Sequence, residues 1–315
     1  MANRKKTGIT SLGDRILRYS SLFMAITVIG IMVWIGVDMF KSAGPSITKF
    51  GPAFITNMVW DPVKENFGAL PFIYGTLVTS IIAMLIAGFI GVGVAIFLNE
   101  IATTKIKVTV SFLVELLAAI PSVVYGLWGI FVLAPLLRNY IEPWLGKWFG
   151  FLPLFKGNPS GLDMLAGGLI LAIMILPTVA AISREVMATV PIAQREAALA
   201  LGATKWEMIR IAVLPFAKSG ILGGIMLGLG RALGETMAVT MVIGNRPDIL
   251  PSLFSPAYTM ASIIANEFTE ATYDLYLSAL IEIGLILFGI TLLLNSVARL
   301  LIWSVARGPK GGQVH

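Results

Sequence analysis

The chain has 315 residues, of which 57% are hydrophobic and only 13% are charged, and its mean hydropathy is +0.87. A soluble globular domain carries about 25% charged residues, so this composition excludes a soluble enzyme and indicates an integral membrane protein. The chain has no cysteine and a single histidine, His315, which excludes disulfides, thiolate chemistry and a His/Cys metal site. The net charge of +6 is typical of basic cytoplasmic membrane loops, and we expect no nucleic-acid partner.

Apolar segments long enough to cross a hydrocarbon core of about 30 Å recur along the chain. We predict an all-α integral membrane protein with six transmembrane helices, approximately Ser20–Phe40, Pro71–Leu98, Phe112–Leu137, Met164–Ile182, Ser219–Gly244 and Leu277–Trp303. The first segment exceeds the 7 to 15 apolar residues of a signal-peptide core, which indicates an uncleaved anchor. Residues 20–306 are therefore predicted to form the transmembrane domain, with residues 1–19 and 307–315 as its tails.

The positions of lysine and arginine predict the orientation. When the six segments alternate in direction, the side that holds the N-terminus carries most of these residues. The fourth loop is especially basic, with Arg184, Arg195, Lys205, Arg210 and Lys218. Because basic residues concentrate in cytoplasmic loops, both termini and this fourth loop are predicted to be cytoplasmic.

Two further local features are predicted, one inside the third span and one after the fifth span. Pro121 lies inside the third apolar segment, so we expect a kink there. Residues Thr259–Glu270 follow a proline-containing outer loop and are predicted to form a short helix beside the membrane.

The fourth loop, residues 183–218, has the pattern of a rigid elbow. A helix is predicted from about Pro191 to Leu201, because proline is well tolerated in a first helical turn. Gly202 can take the left-handed conformation that ends a helix. Thr204 and Glu207 have the spacing of a capping box, so a second helix is expected to begin there.

The fifth span carries glycine at every fourth position, at Gly220, Gly224 and Gly228. On a continuous helix these glycines share one face with Arg231 and Glu235. Small residues allow membrane helices to approach closely, so we expect the cytoplasmic half of this face to pack tightly against another helix.

Arg231 and Glu235 are ionisable residues inside an apolar segment, which is usually a mark of function. Arg231 is predicted to lie near the membrane midplane, where its planar guanidinium could bind the oxygens of phosphate, sulfate or a carboxylate. Glu235 could neutralise it in the empty state and could accept a hydrogen bond from an oxyanion that still carries a proton. The alternative is an intrahelical ion pair that only orients the span.

The elbow resembles the EAA loop of ABC-transporter permeases. Glu196, Ala197, Ala198, Gly202 and the Leu214-Pro215 pair fall on the spacing of that motif, and Ala212 stands where the family pattern has isoleucine. The resemblance implies that this loop is a coupling helix, which docks on a cytoplasmic ATPase subunit.

Three further stretches, Phe67–Ser80, Ala119–Gly129 and Gly230–Val239, resemble the phosphate-specific ABC importer permeases of the PstC type. The resemblance implies a type I ABC importer permease fold in the bacterial inner membrane. It also implies a second permease subunit of the PstA type, a PstB-type ATPase dimer that binds ATP-Mg, and a periplasmic phosphate-binding protein of the PstS type. Arg231 and Glu235 match the residues that this family needs for phosphate passage.

The chain has no Gly-x-x-x-x-Gly-Lys-Ser/Thr nucleotide loop, so we expect it to be a conduit without a cofactor of its own. ATP hydrolysis is then expected on the partner. Two alternatives remain: the same architecture could carry sulfate or molybdate, or the chain could be a secondary anion transporter in which Glu235 carries a proton. An ATPase-docking elbow argues against a self-sufficient transporter.

Overall fold

The structure is a computed structural model that describes residues 12–306. The predicted C-terminal tail and most of the predicted N-terminal tail lie outside these residues. The helices in chain order are α1 (Leu12–Ser42), α2 (Gly44–Phe50), α3 (Ala53–Thr56), α4 (Leu70–Ile96), α5 (Thr104–Ala119), α6 (Ser122–Trp128), α7 (Ala134–Leu136), α8 (Glu142–Phe149), α9 (Met164–Ala188), α10 (Ile192–Ala200), α11 (Lys205–Met208), α12 (Leu214–Leu233), α13 (Met237–Val242), α14 (Met260–Glu267) and α15 (Asp274–Ala306). Several are joined by π-helical turns, at Phe97–Ile101, Gly129–Leu133, Leu137–Ile141 and Ile209–Val213.

Within the described residues, six helical segments are long and apolar enough to cross a membrane. They are Gly13–Ser42, Leu70–Ile101, Ser122–Phe149, Met164–Ala188, Lys205–Leu233 and Asp274–Ser304. The predicted number of spans is therefore confirmed, although the third and fifth segments differ from their predicted bounds.

The third apolar segment is broken and not merely kinked. Helix α5 ends at Ala119, the backbone is extended at Ile120 and Pro121, and α6 begins at Ser122. Proline has no N–H to donate and pushes the residue before it out of helical conformation, which accounts for the break. The Tyr125 hydroxyl bridges it by donating to the Leu117 carbonyl oxygen at 2.7 Å. The spanning helix therefore starts at Ser122 and not at the predicted Phe112.

The fifth segment, predicted as one helix over Ser219–Gly244, is also interrupted. Helix α12 ends at Leu233, and α13 begins only at Met237. Glycine is costly inside a helix by about 1 kcal/mol, so Gly234 weakens the helix at this point. Glu235 then uses its side chain locally, since its Oε1 accepts a hydrogen bond from the Ala238 N–H at 3.4 Å. The shared face predicted for the whole segment therefore ends before Glu235.

Helix α9 lies at the centre of the fold, packed against α4 on one side and α12 on another. The glycines of α12 permit this contact, as predicted. Gly220 faces Val186, Gly224 faces Ile182, and Gly228 faces Val179 and Ile175, all of which belong to α9. A Cβ at Gly220 would lie only 2.4 Å from a Val186 methyl group, so no larger residue fits without movement.

An aromatic cluster closes the end of the molecule that holds α2, α3 and α14. Its buried members include Phe54, Phe67, Phe72 and Tyr276. The short helix predicted over Thr259–Glu270 is confirmed as α14, and its Glu267 accepts hydrogen bonds from the Trp60 indole at 2.8 Å and the Tyr276 hydroxyl at 2.6 Å. These bonds connect the outer loop to α15.

Candidate functional site

Arg231 lies in the last turn of α12, where a positive charge complements the partial negative charge of the helix C-terminus. Its side chain is exposed on the isolated subunit. Among the described residues it has no ion-pair or hydrogen-bond partner, and the carboxylate of Glu235 is not within ion-pair distance. The guanidinium donors are therefore available to a ligand.

Glu235 is half-buried in the break between α12 and α13. One carboxylate oxygen caps the N-terminus of α13 through Ala238. Among residues 12–306 the other oxygen, Oε2, has no protein partner, so it can accept a hydrogen bond from a bound group. The interrupted segment thus presents two groups that can bind a ligand: the guanidinium of Arg231 before the break and the Oε2 atom of Glu235 within it.

Tyr125 is a neighbour of Arg231 that the sequence interpretation did not single out. The Tyr125 hydroxyl lies within electrostatic range of the Arg231 guanidinium. This tyrosine also lines a cleft of about 260 Å³ together with Leu117, Ile120, Val124, Trp128 and Ile173. It lies within the Ala119–Gly129 stretch that carries the family resemblance, and that was the available signal.

Close packing of α6 on α13 brings the two helix breaks together. A Cβ at Gly126 would lie 2.4 Å from the Met241 sulfur, and one at Gly129 would lie 2.5 Å from a Val242 methyl group. Glycine is therefore needed at both positions for this approach. The breaks after Ala119 and Leu233 consequently border one region of the protein, which contains Arg231, Glu235 and Tyr125.

The predicted elbow has the expected local structure. Helix α10 is followed by Gly202, whose φ of +86° is the left-handed conformation. Thr204 and Glu207 form the capping box at the start of α11: the Thr204 Oγ1 accepts from the Glu207 N–H at 3.3 Å, and the Glu207 carboxylate accepts from the Thr204 N–H at 2.8 Å.

The residues of the motif divide between two faces of the elbow. Glu196, Ala197 and Gly202 are exposed, whereas Ala198 is buried against Met208 and Ile209. The exposed side also presents large apolar side chains, with Ile192 at 68%, Leu201 at 90% and Trp206 at 61% exposure. Exposed apolar residues in a group of this kind indicate an interaction surface.

A sequence model of the family described as "Binding-protein-dependent transport system inner membrane component" matches residues 91–307. The chain belongs to this family. Its described helices and this membership together show an integral membrane, multi-pass permease subunit, which functions in a transporter complex with other subunits.

Two relatives illustrate the similarity within the family. The chain is 46% identical over 299 residues to the phosphate transport system permease protein PstC of Mesorhizobium japonicum, covering 94% of this chain and 91% of the relative. It is 47% identical over 298 residues to the protein of the same name from Pasteurella multocida, covering 93% of each.

Solved structures with the same architecture are ABC transporters. A bacterial ABC transporter involved in alginate import aligns with a TM-score of 0.58 at 18% identity, covering 91% of this chain and 98% of that one. The inward-facing MetNI methionine ABC transporter aligns with a TM-score of 0.56 at 18% identity, covering 75% and 95% of the two chains. These likenesses confirm the predicted type I ABC importer permease fold.

Proposed function

We propose that this chain is the permease subunit of an ATP-driven importer that moves inorganic phosphate across the bacterial inner membrane. The observation that carries this proposal is its 46% identity, over 94% of its length, to a relative named as a phosphate transport system permease. Sulfate or molybdate transport and secondary anion transport have no comparable support.

The importer is proposed to include a second, PstA-type permease subunit, a PstB-type ATPase dimer and a PstS-type periplasmic phosphate-binding protein. ATP-Mg binds to the ATPase, and this chain carries no cofactor or catalytic residue. Both termini and the elbow are cytoplasmic, in accordance with the basic fourth loop. Closure of the ATPase dimer then switches the permease pair from inward-facing to outward-facing.

Arg231 and Glu235 are proposed to contact phosphate on its path. An arginine with unused donors can bind two phosphate oxygens through parallel charge-assisted hydrogen bonds. Glu235 can accept a hydrogen bond from the proton of hydrogen phosphate, which sulfate lacks at the same pH. The available Oε2 atom of Glu235 supports this role.

The elbow is proposed to dock on the ATPase through Glu196, Ala197 and the exposed apolar residues beside them. Ala198 packs inward, and Gly202 provides the turn that holds α10 and α11 at a fixed angle. The exposure of Leu201 at 90% supports a surface that is covered in the complex.

The test is labelled-phosphate uptake by cells that lack their own high-affinity system and express this chain with its presumed partner subunits. We expect ATP-dependent uptake that excess sulfate does not inhibit and that Arg231→Gln abolishes. Arg246→Gln is the matched control, because Arg246 is an exposed outer-loop residue whose ion-pair partner within residues 12–306 is Asp248, and it should keep normal uptake. Inhibition by sulfate would assign another oxyanion, and uptake without ATP would assign a secondary transporter.

The selectivity role of Glu235 is tested separately by Glu235→Gln. The amide can donate to any oxyanion, so the preference for phosphate over sulfate should narrow in competition assays. An unchanged ratio of the two inhibition constants would remove Glu235 from the selectivity mechanism, while leaving the role of Arg231 to be judged by its own variant.

A further inference from the structure

Arg195 immediately precedes Glu196 in α10, yet its side chain is turned toward the protein interior. Only 18% of this side chain is exposed, against 6% for its ion-pair partner Glu100. Burial of an arginine is costly unless its donors are satisfied by well-placed acceptors. The two Nη atoms of Arg195 find such acceptors, whereas its buried Nε has none among the described residues. The contacts of the Nη atoms indicate a specific role for a residue outside the exposed docking face.

One guanidinium group connects three structural elements. Its Nη1 donates to the Val190 carbonyl oxygen at 2.8 Å, and its Nη2 donates to the Met187 carbonyl oxygen at 2.8 Å. The same Nη2 donates to Glu100 Oε1 at 3.1 Å, and that oxygen also accepts from the Asn99 amide at 2.7 Å.

Each acceptor belongs to an element that leads into the membrane. Met187 lies in the last turn of α9, and Val190 lies in the short link from α9 to α10. Glu100 lies in the π-helical turn that continues α4. Arg195 therefore occupies the C-terminal end of α9, where a cation is favourable, and simultaneously contacts α4. Its donors add to the Val190 N–H as partners of the Met187 carbonyl oxygen, which that N–H already reaches at 3.2 Å.

Among the described residues, the side-chain hydrogen bonds and the ion pair that attach α10 to these helices are those of Arg195. Within α10, Ala198 is the buried residue, and it belongs to an apolar cluster that includes Met208 and Ile209 of the elbow as well as Ala95 of α4 and Met187 of α9. The direct polar connection from α10 to α4 therefore passes through Arg195 and Glu100. Since α4 and α9 form the central helix pair of the fold, a displacement of α10 reaches the core at this point.

We propose that Arg195 is a positioning residue that transmits movement of the elbow to α4 and α9, and thereby couples ATP hydrolysis to transport. This inference rests on the proposed docking of the elbow on an ATPase. The planar fork of arginine is needed, because lysine has a single nitrogen and cannot reach the two carbonyl groups and the carboxylate in the same geometry.

The test uses the complete transporter in proteoliposomes, with phosphate uptake and ATP hydrolysis measured on the same sample. Arg195→Gln should lower the number of phosphate ions moved per ATP by about tenfold, as expected for loss of a coupling interaction. Arg195→Lys should lower it less while the subunits still co-purify. Arg210→Gln, an exposed arginine of the same loop, is the matched control and should keep the wild-type ratio.

A double variant separates the link from a general folding defect. Arg195→Gln leaves Glu100 buried without its partner, so adding Glu100→Gln should improve folding without restoring phosphate transport per ATP. If the double variant regained the wild-type ratio, the link would not be required and the proposal would be overturned.

The distance between α10 and the end of α4 tests the role of Arg195 independently of which substrate is transported. The natural chain has no cysteine, so spin labels can be placed at Ile101→Cys beside Glu100 and at Ala193→Cys in α10. The distance distribution between the labels should be narrow with Arg195 and broad with Arg195→Gln. An unchanged distribution would overturn the proposal, whereas a failure of wild-type uptake with the expected broadening would overturn only the proposed function.

Discussion

Helices α1 and α9 are similarly apolar and long enough to span a membrane, but their environments are opposite. None of the most apolar stretch of α1 is buried in the protein, whereas 67% of that of α9 is. Hydropathy therefore identifies membrane helices without distinguishing a helix with an open surface from a packed one. Glycines permit the close packing of α9, since a Cβ at Gly168 of α9 would meet Ile82 and one at Gly91 of α4 would meet Val179, while a Cβ at Gly30 of α1 would have no neighbour within 4 Å.

Replacing a glycine by leucine is expected to change the stability of the protein very differently in α9 and in α1. Gly168→Leu would place a Cβ at 2.6 Å from Ile82, so the helix pair must separate or the protein must fail to fold, at a cost of about 3 kcal/mol or more. Gly30→Leu enters open space and, because leucine favours a helix, should stabilise the protein by up to about 1 kcal/mol. Denaturation of the purified complex measures both. An equal loss at Gly30 would mean that another subunit covers this face of α1.

A smaller contrast is expected inside α12, which meets α9 on one face only. Gly220→Ala must displace the stiff side chain of Val186 and should destabilise the protein by about 1 to 2 kcal/mol. Gly223→Ala has its nearest neighbour, Ile302, at 3.8 Å and should stabilise the protein by up to about 1 kcal/mol, because alanine favours a helix. Thermal unfolding of both variants checks the sign of each change, and the same sign for both would contradict the packing described here.

A separate effect, which depends on pH, concerns the buried start of α9. Asp163 caps this helix by accepting from the Ala166 N–H at 2.9 Å, and burial, reinforced by the neighbouring carboxyl of Glu142, raises the pKa of Asp163 to about 8. The folded state therefore binds more protons than the unfolded state at pH values between the ordinary aspartate pKa of 3.8 and about 8. Stability should fall as the pH rises through this window, by at most about 1.4 kcal/mol per pH unit, and should level off above it.

Asp163→Asn is the matched variant, since it stays neutral and keeps an oxygen for the Ala166 N–H. Its midpoint of thermal unfolding should depend less on pH between 6 and 8 than that of the unmodified protein. A parallel pH dependence in the two proteins would show that Asp163 does not titrate in this range.

Much of the fold could be predicted from local sequence patterns. The number of spans follows from hydropathy, because a hydrocarbon core demands long apolar helices. The elbow, with Gly202 and the Thr204–Glu207 capping box, follows from backbone preferences within a few residues. The tight face of Gly220, Gly224 and Gly228 was likewise predictable, although the pattern does not name α9 as the partner.

The candidate site was only partly predictable. Arg231 and Glu235 are conspicuous as charges in an apolar segment, but the periodicity that places both on one helix face assumes an unbroken helix. Gly234 and the cap that Glu235 gives to Ala238 interrupt it. Tyr125 is not marked by charge in the same way, because a tyrosine near a helix end is common. Its proximity to Arg231 depends on the packing of α6 against α13.

The membrane class, the six spans and the caps and turns of the elbow were dictated by local sequence, because these features depend on solvent transfer and on interactions between near neighbours. Packing of the whole chain decided which apolar helix became the core and placed the breaks in the third and fifth segments beside each other. It also brought Arg195 of α10 to Glu100 and to the end of α9. These features require residues far apart in the chain to meet, and side-chain shape and hydrogen-bond geometry select them only once the helices are packed.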